Sequence, residues 1–328
     1  MPDDIYPLNS LRKLKFLLRN DDINDLATTA GRHYRSFDLW KGKRDNGSDK
    51  WRHIDNPSDP LRFTQDSIYN RLLKPLADNM PSYLIGGMPK RSIKDNAYPH
   101  LGSEVVLGLD IENCFPSLSN QRIFKVWRNQ LGCSDEVARI LTQLTTFQCR
   151  LPQGAPTSPF LCNLALSSLA EDISKYASEV GLVFTIYVDD ITLSGKNTTV
   201  RSSIKDIIPI VGRHGLRLSK EKFEKAIMDS NEIQKTTGVV VNNKMTLPKK
   251  KLLEIRKEIA RLGELGNTAK TYELNSVWGK VQFVKSLDPK TGESLRVYAM
   301  KHLDDIVGTS ATKPGDKTRP CNNYRKKH

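Results

Sequence analysis

Leu8, Leu11, Leu14 and Leu18 recur at spacings of three and four, the stripe of an amphipathic helix, and predict a mostly helical segment over residues 1–33. A second helix is expected over Gln65–Leu76, stopped near Pro75, and a long one over Phe160–Val180, where Leu161, Leu164, Leu166, Leu169 and Ile173 supply the apolar face. Between them, Lys41 to Pro60 is polar and rich in Gly, Asn and Asp, which reads as a mobile hairpin or loop. Two shorter stretches change period. Leu182, Phe184, Ile186 and Val188 alternate before Asp189-Asp190, and Ile191 and Leu193 follow, which predicts a β-hairpin with the acids at its tip. The run Glu104–Leu109 also ends in an acid, Asp110, and breaks at Pro116; Ser117 or Ser119 can then cap a helix starting near Gln121. Residues 101–242 therefore alternate strand-like and helical stretches. From Pro248 the pattern turns helical and basic, and past Gly308 few apolar residues remain, so a disordered tail is expected.

An Asp-Asp pair in isolation is most often a solvated turn, because Asp favours turns. Two adjacent carboxylates at the end of an apolar strand, with Asp110 ending another, suggest a different use. Brought side by side, the three would form a ligand set without His or Cys, suited to a hard cation; Mg²⁺ fits, since it is held by one or two carboxylates plus substrate phosphates. Two such ions about 4 Å apart can activate an attacking hydroxyl and stabilise a departing pyrophosphate oxygen, which is nucleotidyl transfer. Spacing alone does not bring the three acids together. Glu112 is expected to point away from them.

Charge narrows the partners. Lys plus Arg number 51 against 37 Asp plus Glu, a net +14 with a pI near 9.5, and such an excess favours a polyanion, nucleic acid above all. The five cysteines are scattered, odd in number and without a Cys-x-x-Cys pair, which argues against zinc and a disulfide framework. No apolar run approaches the ~20 residues of a membrane span, and Met1-Pro2-Asp3-Asp4 lacks a secretory pattern, so no membrane association is expected.

Four segments, in order, resemble the sequence boxes of reverse transcriptases: Asp110 with Phe115; Leu151-Pro152-Gln153-Gly154-Ala155-Pro156-Thr157-Ser158-Pro159; Tyr187-Val188-Asp189-Asp190; and Gly215-Leu216-Arg217-Leu218-Ser219-Lys220-Glu221-Lys222, where Ser219 replaces the usual Asn. Asn96-Ala97-Tyr98-Pro99-His100 is similar to the Asn-Ala-x-x-His element of retron reverse transcriptases, and Thr236-Thr237-Gly238 to their Val-Thr-Gly element, with Thr236 in place of Val. The resemblance runs from about Tyr34 to about Pro289.

It implies an α/β (α+β) right-hand polymerase: fingers over residues 34–100 with part of 143–165, a ferredoxin-like palm with an antiparallel sheet over 101–245, a helical thumb over 246–308, and a basic tail over 309–328. It also implies two Mg²⁺ ions, for which Mn²⁺ can substitute, on Asp110, Asp189, Asp190 and the carbonyl of Ile111. Phe115 becomes a steric gate against a ribose 2′-OH, Gln153 and Gly154 approach the incoming dNTP, and Arg52 grips its triphosphate, with Lys41 and Lys43 weaker candidates. Lys222 protonates or neutralises the departing pyrophosphate. Asn96 and His100 contact the protein's own noncoding RNA directly or shape the surface for it. Thr237 and Gly238 either lie near the primer strand or only form a bend, and Trp278 and Lys280 belong to a thumb that recognises an RNA stem-loop.

The activity so implied is RNA-directed DNA polymerisation in the bacterial cytosol. Part of a cognate noncoding RNA is copied from a guanosine 2′-OH into branched multicopy single-stranded DNA, within an anti-phage defence system whose effector is a separate protein. No room is expected for an RNase H domain, which leaves template removal to a host RNase H. Three alternatives stay open. The first is another bacterial reverse transcriptase, diversity-generating, CRISPR-associated or of another defence class. The second is an RNA-dependent RNA polymerase, against which Phe115 and the Leu-Pro-Gln-Gly box argue. The third is a non-catalytic RNA-binding scaffold.

Overall fold

The computed structural model describes residues 5–43, 47–223 and 226–307, with the side chains of 221, 222 and 304–307 left out. The expected tail over 309–328 lies outside the described residues. The chain divides into two units, Met1–Met245 and Thr246–His328.

The first unit opens with α1 (Leu11–Leu18) and α2 (Ile23–Thr29), and the Ser10 side chain accepts from the Lys13 N–H at the start of α1. The polar stretch expected as a hairpin or loop is a hairpin: β1 (Tyr34–Lys43) pairs antiparallel with β2 (Asp49–Pro57). Next comes α3 (Leu61–Ile68), whose backbone continues as a π turn over Tyr69–Leu73 and a 3₁₀ turn over Lys74–Asn79. The helix expected over Gln65–Leu76 thus starts earlier and is regular only to Ile68. Pro75 sits inside the 3₁₀ turn, whose opening N–H groups need no partner, so it does not stop the chain there.

A short α4 (Ile93–Ala97) leads to β3 (Val105–Asp110), α5 (Cys114–Ser117), α6 (Asn120–Lys125) and α7 (Asp135–Thr145). Ser119 caps α6, its hydroxyl accepting from the Arg122 N–H. The single helix expected over Phe160–Val180 is two, α8 (Ser158–Ala165) and α9 (Ser167–Val180), parted at Leu166. The Arg122 guanidinium reaches the break: Nε donates to the Ala165 carbonyl and Nη1 to that of His214, so the end of α8 finds a donor from another element.

The remainder of the unit is β4 (Val183–Tyr187), β5 (Asp190–Gly195), α10 (Asn197–Arg213), α11 (Lys220–Phe223), β6 (Ile227–Asp229), β7 (Lys235–Thr236) and β8 (Val239–Val240). Four strands form an antiparallel sheet in the order β4-β5-β3-β6. Ile191 and Leu193 of β5, with Ile186 of β4, belong to the same buried core as Leu169 and Ile173 of α9 and Ile207 of α10. The second unit packs α12 (Lys249–Leu265), α13 (Thr271–Leu287) and α14 (Pro289–Val307) around Ile255, Ile259, Val277, Val281, Val284 and Leu295. Among the described residues no helix is long and apolar enough to cross a membrane.

Candidate active site

The hairpin register decides where the acids lie. Asp110, the last residue of β3, stands opposite Asp190, the first of β5, and Tyr187 pairs with Asp190 across a loop of Val188 and Asp189. Oxygens of Asp110, Asp189 and Asp190 all come within 4.8 Å of one another. The structure therefore brings Asp110 together with an acid pair 79 and 80 positions later in the chain.

Several backbone contacts hold that loop. Val188 has φ +60°, a left-handed conformation ordinary for glycine and rare for a β-branched residue. Such a residue costs roughly 1–3 kcal/mol and persists only where its surroundings over-determine it. The segment 83–87 does so here. The Ile85 N–H donates to the Ile186 carbonyl and the Ile186 N–H to that of Tyr83, each at 2.9 Å. A side chain at Gly86 would place its Cβ 2.5 Å from the Val188 nitrogen, so only glycine permits the approach. From the other side, the Ile111 N–H donates to the Asp189 carbonyl at 3.0 Å and the Ser219 N–H to the Asp110 carbonyl at 2.8 Å. The segment around Leu218 thereby extends the sheet past Asp110 through a bridge to Ile111.

Asp110 and Asp189 border a cavity of about 1150 Å³. Its wall includes Asp110, Ile111, Phe115, Gln153, Asp189 and Arg52, so most residues with a nucleotide or metal assignment share one space. Lys41, Lys50, Arg217 and Lys220 line it as well, facing the acids with positive charge. The sequence assigns no role to Lys50 or Arg217 and shows Lys220 only as a neighbour of Lys222 in the same motif. Glu112, expected to point away, also lines the cavity but stands outside the carboxylate cluster. Lys222 lies in α11, and its side chain is outside the described residues.

Gly154, expected to let the backbone approach a nucleotide, makes a close approach to β2. At φ +136° it lets the loop press on β2, where an added Cβ would lie 2.9 Å from Ile54 Cγ2 and 3.0 Å from the Asp55 carbonyl oxygen. The Asp55 N–H donates to the Gln153 carbonyl at 2.8 Å, which ties the same loop to the hairpin.

Under the acids, Cys114 and Cys162 bring their sulfurs to 3.6 Å. The hydrogen bond with Cys114, burial and the charge of Asp189 all raise the Cys162 pKa, so this thiol stays protonated. A thiolate is the form that binds metal. The donor set is thus three carboxylates, which fits a hard divalent cation.

Asn96 and His100 correct the expectation of direct contact with RNA, because both are fully buried. His100 Nδ1 lies 2.8 Å from Ser194 Oγ and Nε2 2.8 Å from Thr185 Oγ1, so the ring spans two strands of the sheet. Desolvation lowers its pKa from 6.5 to about 4. The unfolded chain therefore binds the proton more tightly, and stability present above about pH 6.5 is lost as pH falls toward 4, on the order of 3 kcal/mol in all. In urea titrations, His100→Gln is expected to flatten the fall of the unfolding midpoint between pH 6.5 and 4; an unchanged slope would assign that fall to other groups.

Thr237 and Gly238 form the turn between β7 and β8, Thr237 half-buried and Gly238 exposed. In the helical unit Trp278 packs against the core, and Lys280 Nζ pairs with the Glu258 carboxylate at 2.6 Å. Lys249 and Lys250 at the start of α12 are exposed.

Residues 41–263 match the family described as reverse transcriptase (RNA-dependent DNA polymerase). The chain belongs to this family. Its relatives place it in the retron type. It is 32% identical to the Retron Ec86 reverse transcriptase of Escherichia coli over 279 residues, 84% of this chain and 83% of that one. It is 30% identical to the Retron Mx65 reverse transcriptase of Myxococcus xanthus over 289 residues, 80% of this chain and 64% of that one. The Retron Ec48 reverse transcriptase of Escherichia coli is 31% identical over 241 residues, 67% and 59%. This reverse transcriptase thus spans less than two thirds of the Mx65 and Ec48 relatives. A solved telomerase from Candida albicans, in complex with a fragment of telomeric RNA, aligns with TM-score 0.42 and 12% identity over 91% of this chain and 64% of that one. The family's fold is the right-hand polymerase and its activity is RNA-directed DNA synthesis, so an RNA template is this chain's partner.

Proposed function

We propose that this reverse transcriptase copies part of its own structured noncoding RNA, starting from a guanosine 2′-OH, into branched multicopy single-stranded DNA. It does so in the bacterial cytosol as one part of an anti-phage defence system, with a separate effector protein and a host RNase H that trims the template. The observation that carries the polymerase reading is the meeting of Asp110, Asp189 and Asp190 beside a cavity lined with basic side chains. Residues 34–100 with part of 143–165 serve as fingers, 101–245 as palm and 246–308 as thumb.

Asp110, Asp189, Asp190 and the Ile111 carbonyl would hold divalent ions, Mg²⁺ by preference, which lower the pKa of the attacking sugar hydroxyl and stabilise the leaving pyrophosphate. Arg52, with its forked donors, takes the triphosphate, and Gln153 orients the dNTP. Phe115 fills the space that a ribose 2′-OH needs. Lys222 supplies charge or a proton to the departing pyrophosphate.

Sequencing the nucleic acid that copurifies with the protein tests the retron part. The expected result is one RNA species joined through an internal 2′-OH to DNA complementary to part of itself. DNA with only linear ends, or none, refutes branched priming.

A further inference from the structure

One buried amide holds the segment against which the Val188–Asp189 loop rests. Asn163 lies in α8, fully buried, and its Nδ2 donates to the Gly86 carbonyl at 2.6 Å and to the Pro159 carbonyl at 3.1 Å. Both acceptors are carbonyl oxygens, so the amide nitrogen must face them. Among the described residues the buried Oδ1 accepts no hydrogen bond. A buried acceptor left without a donor is destabilising, and an apolar side chain of the same size would avoid that cost. The donor end is therefore what this position uses.

Gly86 and Gly87 fit between α8 and the loop with no room to spare. An added Cβ on Gly87 would lie 2.6 Å from Pro159 Cβ, and one on Gly86 2.5 Å from the Val188 nitrogen and 2.6 Å from Val188 Cγ2. Asn163 thus reaches Val188 through a single residue. In the loop itself, Val188 is left-handed and Asp189 is not, the pattern of a type II′ hairpin, whose first position ordinarily belongs to glycine. The valine opposes the conformation it occupies, and such a conformation persists because its neighbours impose it.

We propose that Asn163 is a positioning residue for the metal-binding carboxylates: by fixing the Gly86 carbonyl it keeps segment 86–87 against Val188, and so keeps Asp189 and Asp190 gathered with Asp110. The proposal rests on the polymerase reading above. Asn163 acts on the acids only through Gly86 and Val188, which makes the glycine-like turn at position 188 the place to test it.

Mg²⁺ alone, titrated into the full-length protein without nucleic acid, gives one reading through the rise in melting temperature. Extension of a DNA primer annealed to an RNA template gives another. Asn163→Ala is expected to raise the Mg²⁺ concentration for half of the melting shift, and for half-maximal extension, about tenfold, the size usual for residues that orient metal ligands. At saturating Mg²⁺, KM for dNTP should stay within about twofold of wild type. Val188→Gly removes the strain that Asn163 helps to hold, so adding it to Asn163→Ala is expected to restore most of the Mg²⁺ response. A purely structural asparagine predicts neither the metal shift nor its suppression by a change in the loop. Asn163→Ala that melts lower in chelator yet keeps the wild-type Mg²⁺ midpoint, or a double variant no better than Asn163→Ala, overturns the proposal. Where Asn163→Ala alone does not fold, the double variant decides: a folded protein that responds to Mg²⁺ supports the proposal, and an unfolded one overturns it. A wild-type protein that neither extends a primer nor responds to Mg²⁺ refutes the polymerase reading first and this proposal with it, whereas a normal wild-type response with an indifferent Asn163→Ala refutes the proposal alone.

Discussion

Replacing Asp189 and Asp190 together by asparagine is expected to lower dNTP incorporation by about a thousandfold or more, which corresponds to ~4 kcal/mol of lost transition-state stabilisation. The reason is the crowding of three carboxylates within 4.8 Å, a density of negative charge that a divalent cation can balance and a folded core alone does not need. The same reasoning predicts opposite effects on stability and activity. Without divalent metal the double variant should melt at or above the wild type, because like charges have been removed from one spot. Adding Mg²⁺ should raise the wild-type melting temperature and leave that of the variant unmoved. Primer extension and paired melting curves with and without chelator measure both. Wild-type incorporation by the double variant would refute catalysis by this cluster, and would favour a scaffold that kept the residues without using them.

Phe115→Val is expected to reduce discrimination against ribonucleotides by about a hundredfold, roughly 3 kcal/mol in the ratio of kcat/KM values for dNTP and rNTP. Phe115 lies in α5, five residues after Asp110, half-buried at the cavity wall. Its ring packs against the core and also lines the cavity, the arrangement a gate requires. Because the residue is already partly open, truncation should cost less stability than emptying a fully buried site. Single-turnover incorporation of matched dNTP and rNTP pairs reads the ratio directly. An unchanged ratio would reduce Phe115 to a packing residue.

Local patterns carried the catalytic hairpin well. Leu182 to Leu193 alternates because one side of β4 and β5 faces the core, and the acids fall at the loop because the alternation ends there. The capping of α6 by Ser119 was equally legible, since it needs only neighbouring residues. Features that depend on distant partners were not. Nothing within Phe160–Val180 announces a break at Leu166; the donor that meets the end of α8 there comes from Arg122. Asn96 and His100 look like surface polar groups in a turn until Thr236, Ser194 and Thr185 are placed around them. Gly86 is unremarkable in sequence and Gly154 stands in a motif, but neither shows locally the backbone that presses against it. Arg217 and Lys220 line the cavity because the Leu218 segment extends β3, a pairing that no local period reveals.

The contact of Gly154 with Ile54 and Asp55, together with the bond from the Asp55 N–H to the Gln153 carbonyl, joins a loop to a hairpin roughly a hundred positions earlier. The hairpin that carries Arg52 and the loop that carries Gln153 are thereby joined before any triphosphate arrives. The entropy of assembling the two is surrendered once, when the polypeptide collapses, instead of at every cycle of strand elongation. An enzyme that repeats one addition many times on one template has the most to lose from reassembling its grip at each step.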